Sequence, residues 1–273
     1  MGRQGEDPEY RRKQEEQYGT SANLDARAAL HARWSVTRIH WHDWVFECLK
    51  LPPESRILET GCGNGALWPR NLDRMPAGWI VTLTDLSPGM LATAKGRLGA
   101  DARKFSFKVA DVSALPFADG SFEACVANHM LYEPPDPGVA LREIARVLSG
   151  GGRLYAATNG VGHMRELHEL ARLVAPDMPY AAGKAVERFS LDNGGALIAK
   201  HFAGVRLHMF EGDLMVTDAE AIIAYLMSVR DAASYFTPAK VDEIRRLVAG
   251  EIRRSGAYHV TRNTGMFEAV RDR

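Results

Sequence analysis

The run Arg56-Ile-Leu-Glu59-Thr-Gly61-Cys-Gly63-Asn-Gly65-Ala66 decides the fold. It reads as a short β-strand followed by a glycine-rich turn that enters a helix. Glycines there let the backbone bend tightly and approach a ligand closely, and a helix N-terminus would offer free N–H groups. Gly61-x-Gly63-x-x-Ala66 satisfies the dinucleotide fingerprint G-x-G-x-x-G/A, and Asp85 follows at about the distance of a ribose-binding acid. Two features weigh against a dinucleotide. Glu59 stands two residues before the first glycine, where its carboxylate would repel a pyrophosphate and welcome a cation. The additional Gly65 gives the spacing E-x-G-x-G-x-G, a differently shaped turn.

Outward from this run, apolar β-type segments alternate with helical ones, the signature of a parallel sheet covered by helices. The strands expected are Arg56 to Thr60, Trp79 to Thr84, Phe105 to Ala110, Glu123 to Asn128, Arg153 to Thr158, Val205 to Phe210 and Tyr258 to Ala269. Ser87-Pro88 and Asp136-Pro137 each supply an N-cap and a first-turn proline, and Ser149-Gly-Gly-Gly152 is expected to end the second of these helices. Thr217-Asp-Ala-Glu220 is a capping-box pattern, and Thr237-Pro238 opens a later helix. Before the first strand, residues 24–50 read as two helices ending at Pro52-Pro53, and residues 1–23 as a polar, mobile segment. The expected organisation is a helical lid at 1–50 and a ligand-binding domain at 51–273, with a cap inserted at about 161–200.

The chain has 273 residues, of which 46% are apolar and 25% charged, the balance of a globular protein. Lys plus Arg equals Asp plus Glu at 34 each, so the basic excess of a nucleic-acid-binding surface is missing and a small-molecule partner is expected. Three cysteines without C-x-x-C spacing suggest neither a disulfide framework nor a zinc site. A polar start and no long apolar run lead to the expectation of a cytoplasmic protein without a membrane span.

The motifs Leu58-Glu59-Thr-Gly-Cys-Gly-Asn-Gly65, Leu83-Thr-Asp85-Leu-Ser-Pro-Gly-Met90, Ala110-Asp111-Val-Ser-Ala-Leu-Pro-Phe117, Asp119-Gly-Ser-Phe-Glu-Ala-Cys-Val-Ala-Asn128 and Arg146-Val-Leu-Ser-Gly-Gly-Gly152 occur in order. Together they resemble a class I S-adenosylmethionine-dependent methyltransferase of the small-molecule, methyltransferase type 11-like kind. The resemblance implies a Rossmann-like α/β fold with a seven-stranded, mostly parallel sheet in the order 3-2-1-4-5-7-6. It implies S-adenosyl-L-methionine as cofactor and methyl transfer to an O, N or C nucleophile of a small molecule. Glu59 and the Gly61, Cys62, Gly63, Asn64 and Gly65 backbone would hold the methionine moiety, and Asp85 the ribose hydroxyls. Leu86 and Met90 would sandwich the adenine, Asp111 and the Val112 N–H would read its edge, and Asn128 would line the sulfonium side. Tyr18 and the His31 to Trp34 stretch would fold over the cofactor. An NAD-dependent oxidoreductase and a non-catalytic binding module are the alternatives.

His129 follows Asn128 at the carboxyl end of the fourth strand, where open α/β sheets place ligands, and is the first candidate for a base or orienting group. Tyr132 and His163 are the second candidates, with Glu133 and Asn159 beside them. His40-x-His42 is read as two rings on different helix faces, so no chelate is expected, and His168 as facing solvent. Trp34, Trp41 and Trp44 are read as one buried helix face. Arg outnumbers Lys 26 to 8 and Ala is abundant, which suits a high-GC bacterial genome and leads to the expectation of a natural-product pathway.

Overall fold

The computed structural model describes residues 22–178, 186–229 and 231–272, so the N-terminal segment to residue 21, with Tyr18, lies outside the described residues. The main sheet is formed by β1 (Arg56–Thr60), β2 (Ile80–Asp85), β3 (Phe105–Val109), β4 (Phe122–Asn128), β5 (Leu148–Asn159), β6 (Ala203–Met209) and β9 (Thr264–Val270). Its order is β3-β2-β1-β4-β5-β9-β6, and β7 (Leu214–Val216) pairs separately with β8 (Tyr258–Val260). The pairs β1–β2, β2–β3, β1–β4 and β4–β5 are parallel, while β9 runs antiparallel to β5 and β6. This is the Rossmann-like order expected, with β9 in the place of strand seven. Strand order reverses between β1 and β4, the switch point beyond whose carboxyl ends such sheets bind ligands.

The middles of the central strands are apolar because helices cover both faces, while polar side chains such as Glu59, Thr60 and Asp85 stand at their carboxyl ends. Ile57, Leu58, Ala124, Cys125, Val126 and Ala127 are all fully buried, and each large one contributes about 1.5–3 kcal/mol through its burial. On one face lie α2 (Trp41–Cys48), preceded in the chain by α1 (Ala22–Trp34), and α3 (Pro88–Leu98). On the other lies α4 (Pro137–Val147), which buries Ala140, Leu141, Ile144 and Val147. The caps form as the sequence indicates. Ser87 Oγ accepts the Met90 N–H at 3.2 Å, and Asp136 Oδ1 accepts the Gly138 N–H at 2.8 Å. A third cluster joins α1, α5 (Arg165–Val174), α7 (Ala219–Met227), α9 (Pro238–Ser255) and the β7–β8 pair around Leu30, Leu167, Leu214, Ile222 and Val248. The short helices α6 (Gly194–Ile198) and α8 (Ala232–Tyr235) complete the described elements. Among the described residues no helix is long and apolar enough to cross a membrane.

Five local readings are corrected. The glycine loop does not enter an α-helix: residues 66–71 form turns, and a 3-10 turn follows at Leu72–Arg74. Pro69 disfavours helical backbone at Trp68. The Asn71 N–H bonds the Trp68 carbonyl, and Asn71 Nδ2 caps the Leu67 carbonyl at 2.8 Å. The Ser149–Gly152 run does not cap α4, because β5 begins already at Leu148 and the glycines sit in its irregular first part, Gly151 with φ +81°. The span Tyr258 to Ala269 is two strands. Between them the Arg262 N–H is drawn to Asp213 Oδ1 at 2.9 Å and the Asn263 N–H to His163 Nδ1 at 3.3 Å, which takes the backbone off the sheet. Asp218, not Thr217, caps α7, its Oδ1 accepting the Glu220 N–H at 3.0 Å. His40 is the N-cap of α2 and not inside it, so its ring lies 5.3 Å from that of His42. Even so, no group of three metal-ligating side chains forms among the described residues.

Candidate functional site

The glycine loop closes over the carboxyl end of β1. Gly61, Gly63 and Gly65 take φ of +60°, +55° and +67°, a left-handed backbone that costs a side-chain-bearing residue about 1–2 kcal/mol. Two of the three are also sterically sealed: a Cβ on Gly61 would stand 2.8 Å from Met130 Cβ, and one on Gly65 2.9 Å from Ala94 Cβ. The loop is tied to the β2–α3 turn by Asp85, whose Oδ2 accepts the Gly63 N–H and whose Oδ1 accepts the Ser87 N–H, each at 2.8 Å. Burial raises the Asp85 pKa against these bonds.

Glu59 ends β1 beneath the loop and is 2% exposed. Its Oε2 accepts the Trp68 indole N–H at 2.6 Å, and burial pushes its pKa up to about 8, with Asp85 adding to the shift. Asp111 follows β3 and holds the Ser113 N–H at 2.8 Å on Oδ1, leaving its other oxygen. These three carboxyls line one cavity of about 930 Å³ together with Leu86, Met90 and Val112. The cavity thus has an acidic half, built from consecutive strand ends, in which a glycine cradle approaches the ligand closely.

The other half is aromatic and basic. Asn128 Oδ1 accepts the Trp41 indole N–H at 3.3 Å. His129 follows with φ +56°, an uncommon conformation for a bulky residue and one of those that cluster at ligand sites. Its main-chain N–H reaches the Ala157 carbonyl, its ring lies 5.0 Å from that of Trp41, and its buried Nδ1 has no partner. Burial lowers its pKa to about 4. His163 Nδ1 accepts the Asn263 N–H, which fixes the proton of the neutral ring on Nε2. His31 stacks on it, with centroids 5.7 Å apart and planes 11° apart. Burial lowers the pKa of His163 well below the usual range and that of His31 to about 4. Tyr132 lines the same space, and burial beside Glu133 raises its hydroxyl pKa far above the usual range. His168 is half-buried, its pKa lowered to about 4 by burial, and does not face solvent as expected.

Of the residues named from the sequence as catalytic or cofactor-binding, all line this one cavity except Tyr18, outside the described residues, and Gly65, which packs against Ala94. The structure also adds Trp41, Phe210 and Arg262, and it places His31, from the stretch expected to fold over the cofactor, in the cavity wall. Trp41 is part of the cavity wall, and the three tryptophans do not share one helix, since Trp34 ends α1 while Trp41 and Trp44 stand in α2. Arg262 was hidden inside the expected last strand.

Residues 58–156 match the family described as a methyltransferase domain. A malonyl-[acyl-carrier protein] O-methyltransferase of Geobacter sulfurreducens is 32% identical over 178 residues, 64% of this chain and 65% of that protein. A demethylmenaquinone methyltransferase of Lactococcus lactis is 39% identical over 101 residues, 36% of this chain and 39% of that protein. The chain spans between 40% and 65% of the length of the malonyl-[acyl-carrier protein] relatives it matches. Among solved structures, the Haemonchus contortus phosphoethanolamine N-methyltransferase 2 in complex with S-adenosyl-L-methionine superposes with a TM-score of 0.61 at 17% identity, over 97% of this chain and 60% of that one. The [4+2]-cyclase SpnF does so with 0.57 at 20% identity, over 95% of each. At these identities the structural likeness is one of fold.

Proposed function

We infer that this chain, which carries a class I S-adenosylmethionine-dependent methyltransferase domain, transfers a methyl group to a nucleophilic O, N or C atom of a small molecule. The observation that supports this reading best is the cradle itself: three left-handed glycines, two of them closed to any side chain, stand between the buried Glu59 and Asp85. S-adenosylmethionine, when bound, supplies a methyl group on a cationic sulfonium. The residues fit it. Glu59 and the Gly61–Gly65 backbone would hold the cationic amino-acid end, the second lone pairs of Asp85 the ribose, Leu86 and Met90 the adenine ring, and Asp111 with the Val112 N–H its edge. The cavity of about 930 Å³ runs past the residues assigned to the cofactor to His163, Tyr225 and Arg262, where we place the methyl acceptor.

What the protein contributes is alignment and exclusion of water. Asn128, locked by the Trp41 indole, and His129, fixed by its backbone, face the boundary between the acidic half and the aromatic half. His129 stays neutral at pH 7, so it orients a partner without placing a second positive charge beside a sulfonium. Trp41, Trp44 and Phe210 pack ring against ring at 5.1–5.2 Å and close the site from the N-terminal side. The relatives named above act, by their names, on malonyl-[acyl-carrier protein], an acyl group on a protein carrier, and on demethylmenaquinone; a free small-molecule acceptor and a role in bacterial secondary metabolism are part of our proposal. The oxidoreductase alternative is disfavoured by the turn after the glycine loop, since the helix N-terminus that would receive a pyrophosphate does not form.

Calorimetric titration with S-adenosylhomocysteine tests the reading, with wild type and Asp85→Ala in parallel. We expect binding by the wild type, weakened at least tenfold in the variant, and no binding of NADH. Absence of S-adenosylhomocysteine binding by a folded wild-type protein would overturn it.

A further inference from the structure

Resting on that reading, we propose that the methyl acceptor is a carboxylate, received by Arg262 and His163 in the basic half of the cavity. Arg262 follows β8 and is 8% exposed. One terminal nitrogen donates to Ser35 Oγ at 2.9 Å, the other to the Glu211 carbonyl at 2.6 Å, and the guanidinium lies 4.2 Å from the centroid of the Phe210 ring. Its buried Nε–H has no partner, and among the described residues no carboxylate oxygen comes within 4.0 Å of it. Two acids stand near it, Asp213 and Glu211; neither carboxylate pairs with the guanidinium, and Asp213 is engaged elsewhere, Oδ1 accepting the main-chain N–H of Arg262 and Oδ2 meeting His259 Nε2 at 2.8 Å. A guanidinium offers five donors, and two are used. A buried cation with unmatched donors is costly alone and is relieved by an anion that brings paired oxygens.

His163 supplies the second observation. Because its Nδ1 is taken by the Asn263 N–H, its Nε2–H is a donor, and it stands in the same cavity wall as Arg262. His31 stacks on it and His129 lines the same cavity, both neutral at pH 7. Neither these imidazoles nor the Tyr132 hydroxyl is matched to remove a proton from an alcohol or an ammonium group near pH 7. A carboxylate has none to lose. Its oxygen lone pair forms the new O–C bond as the C–S bond breaks and that electron pair stays with sulfur, giving a methyl ester and a neutral thioether with no proton released. The charge layout agrees, with Glu59, Asp85 and Asp111 facing the cationic partner and Arg262 the anionic one. Glu133 is the carboxyl on the basic side, and Arg27 acts against it at Tyr132.

The test uses the full chain saturated with S-adenosylhomocysteine and titrated with hexanoate, succinate and phenylacetate, each against its primary amide, and with inorganic phosphate. We expect at least one acid to bind tenfold or more tightly than its amide. That preference should fall below threefold in Arg262→Gln and survive in part in Arg262→Lys, with S-adenosylhomocysteine affinity within threefold of wild type in both. Equal or no binding of acids and amides by the wild type, a preference that persists in Arg262→Gln, or tighter binding of phosphate than of any acid would overturn the proposal. If Arg262→Gln does not fold, the wild-type comparison and Arg262→Lys still decide. Loss of S-adenosylhomocysteine binding by the wild type itself would instead overturn the methyltransferase reading on which this rests.

Discussion

With Glu59 receiving the cationic end of the ligand, as we propose, binding should release a proton. With its pKa at about 8 in the free protein, the carboxyl is protonated through most of the physiological range. A cation docked against it requires the ionised form, so each binding event between pH 5.5 and 7 releases close to one proton; even at pH 7 about nine in ten molecules carry it. Affinity should then rise nearly tenfold per pH unit across this window. The shift from 4.5 to about 8 is worth about 5 kcal/mol of disfavoured charge in the free site, and a nearby cation can recover much of it. The window stops at pH 7 because the ligand's own α-amino group titrates near ~8. His31, His129 and His163 do not interfere, since burial holds their pKa values below it. The assay is calorimetry with S-adenosylmethionine in phosphate and in imidazole, whose ionisation heats differ. A buffer-dependent heat equivalent to about one released proton is expected, and Glu59→Gln should abolish both that heat and the pH slope. Identical heats in the two buffers and a flat Kd from pH 5.5 to 7 would refute the reasoning.

Two further outcomes follow from the same geometry. In Gly65→Ala, the left-handed backbone and a Cβ 2.9 Å from Ala94 Cβ should lower stability by about 2–4 kcal/mol and weaken cofactor binding, whereas Gly96→Ala, exposed in α3 with nothing within 4 Å of the new Cβ, should gain about 0.5–1 kcal/mol; equal urea midpoints for the two would contradict this. Stability should also peak near neutrality. His31 and His129 have folded pKa values of about 4 and His42 of about 3, below the unfolded 6.5, so the unfolded chain binds more protons and stability is lost as pH falls from 6.5 toward 4, by about 3 kcal/mol for each of the first two. Glu59 runs the other way, its raised pKa removing stability as pH rises from 4.5 through 8. Urea midpoints between pH 4 and 9 should therefore pass through a maximum near 6.5–7, and a midpoint that climbs steadily to pH 9 would rule it out.

The sheet was legible because its signal is local. Each central strand carries a buried apolar middle, such as Ile57-Leu58 and Ala124 to Ala127, and Ser87-Pro88, Asp136-Pro137 and Thr237-Pro238 mark helix starts within two residues. What failed was punctuation that depends on distant partners. Nothing near Thr261, Arg262 and Asn263 says that Asp213 and His163 will pull the main chain off the sheet there. The turn after the glycine loop was readable in principle, since Pro69 stands four residues past Gly65, but the expectation of a helix followed the common pattern of glycine loops.

The two halves of the cavity differ in legibility for the same reason. The acidic half comes from the ends of β1, β2 and β3 and the turns that follow them, so Glu59, Asp85 and Asp111 appear at fixed offsets within one continuous motif. The aromatic and basic half is assembled from α1, α2, the loops after β4 and β5, and the segments holding Phe210 and Arg262, with His31 and Arg262 more than 200 residues apart along the chain. No spacing rule links His31 to His163, or Arg262 to Ser35, and their burial is a property of the assembled wall. A strand end that must hold the same ligand group leaves a readable pattern, while a wall shaped to one acceptor does not. On the reading proposed above, selectivity falls where the sequence is least periodic, and substitutions at Trp41, His163 and Arg262 should alter which molecule is bound without disturbing the sheet beneath them.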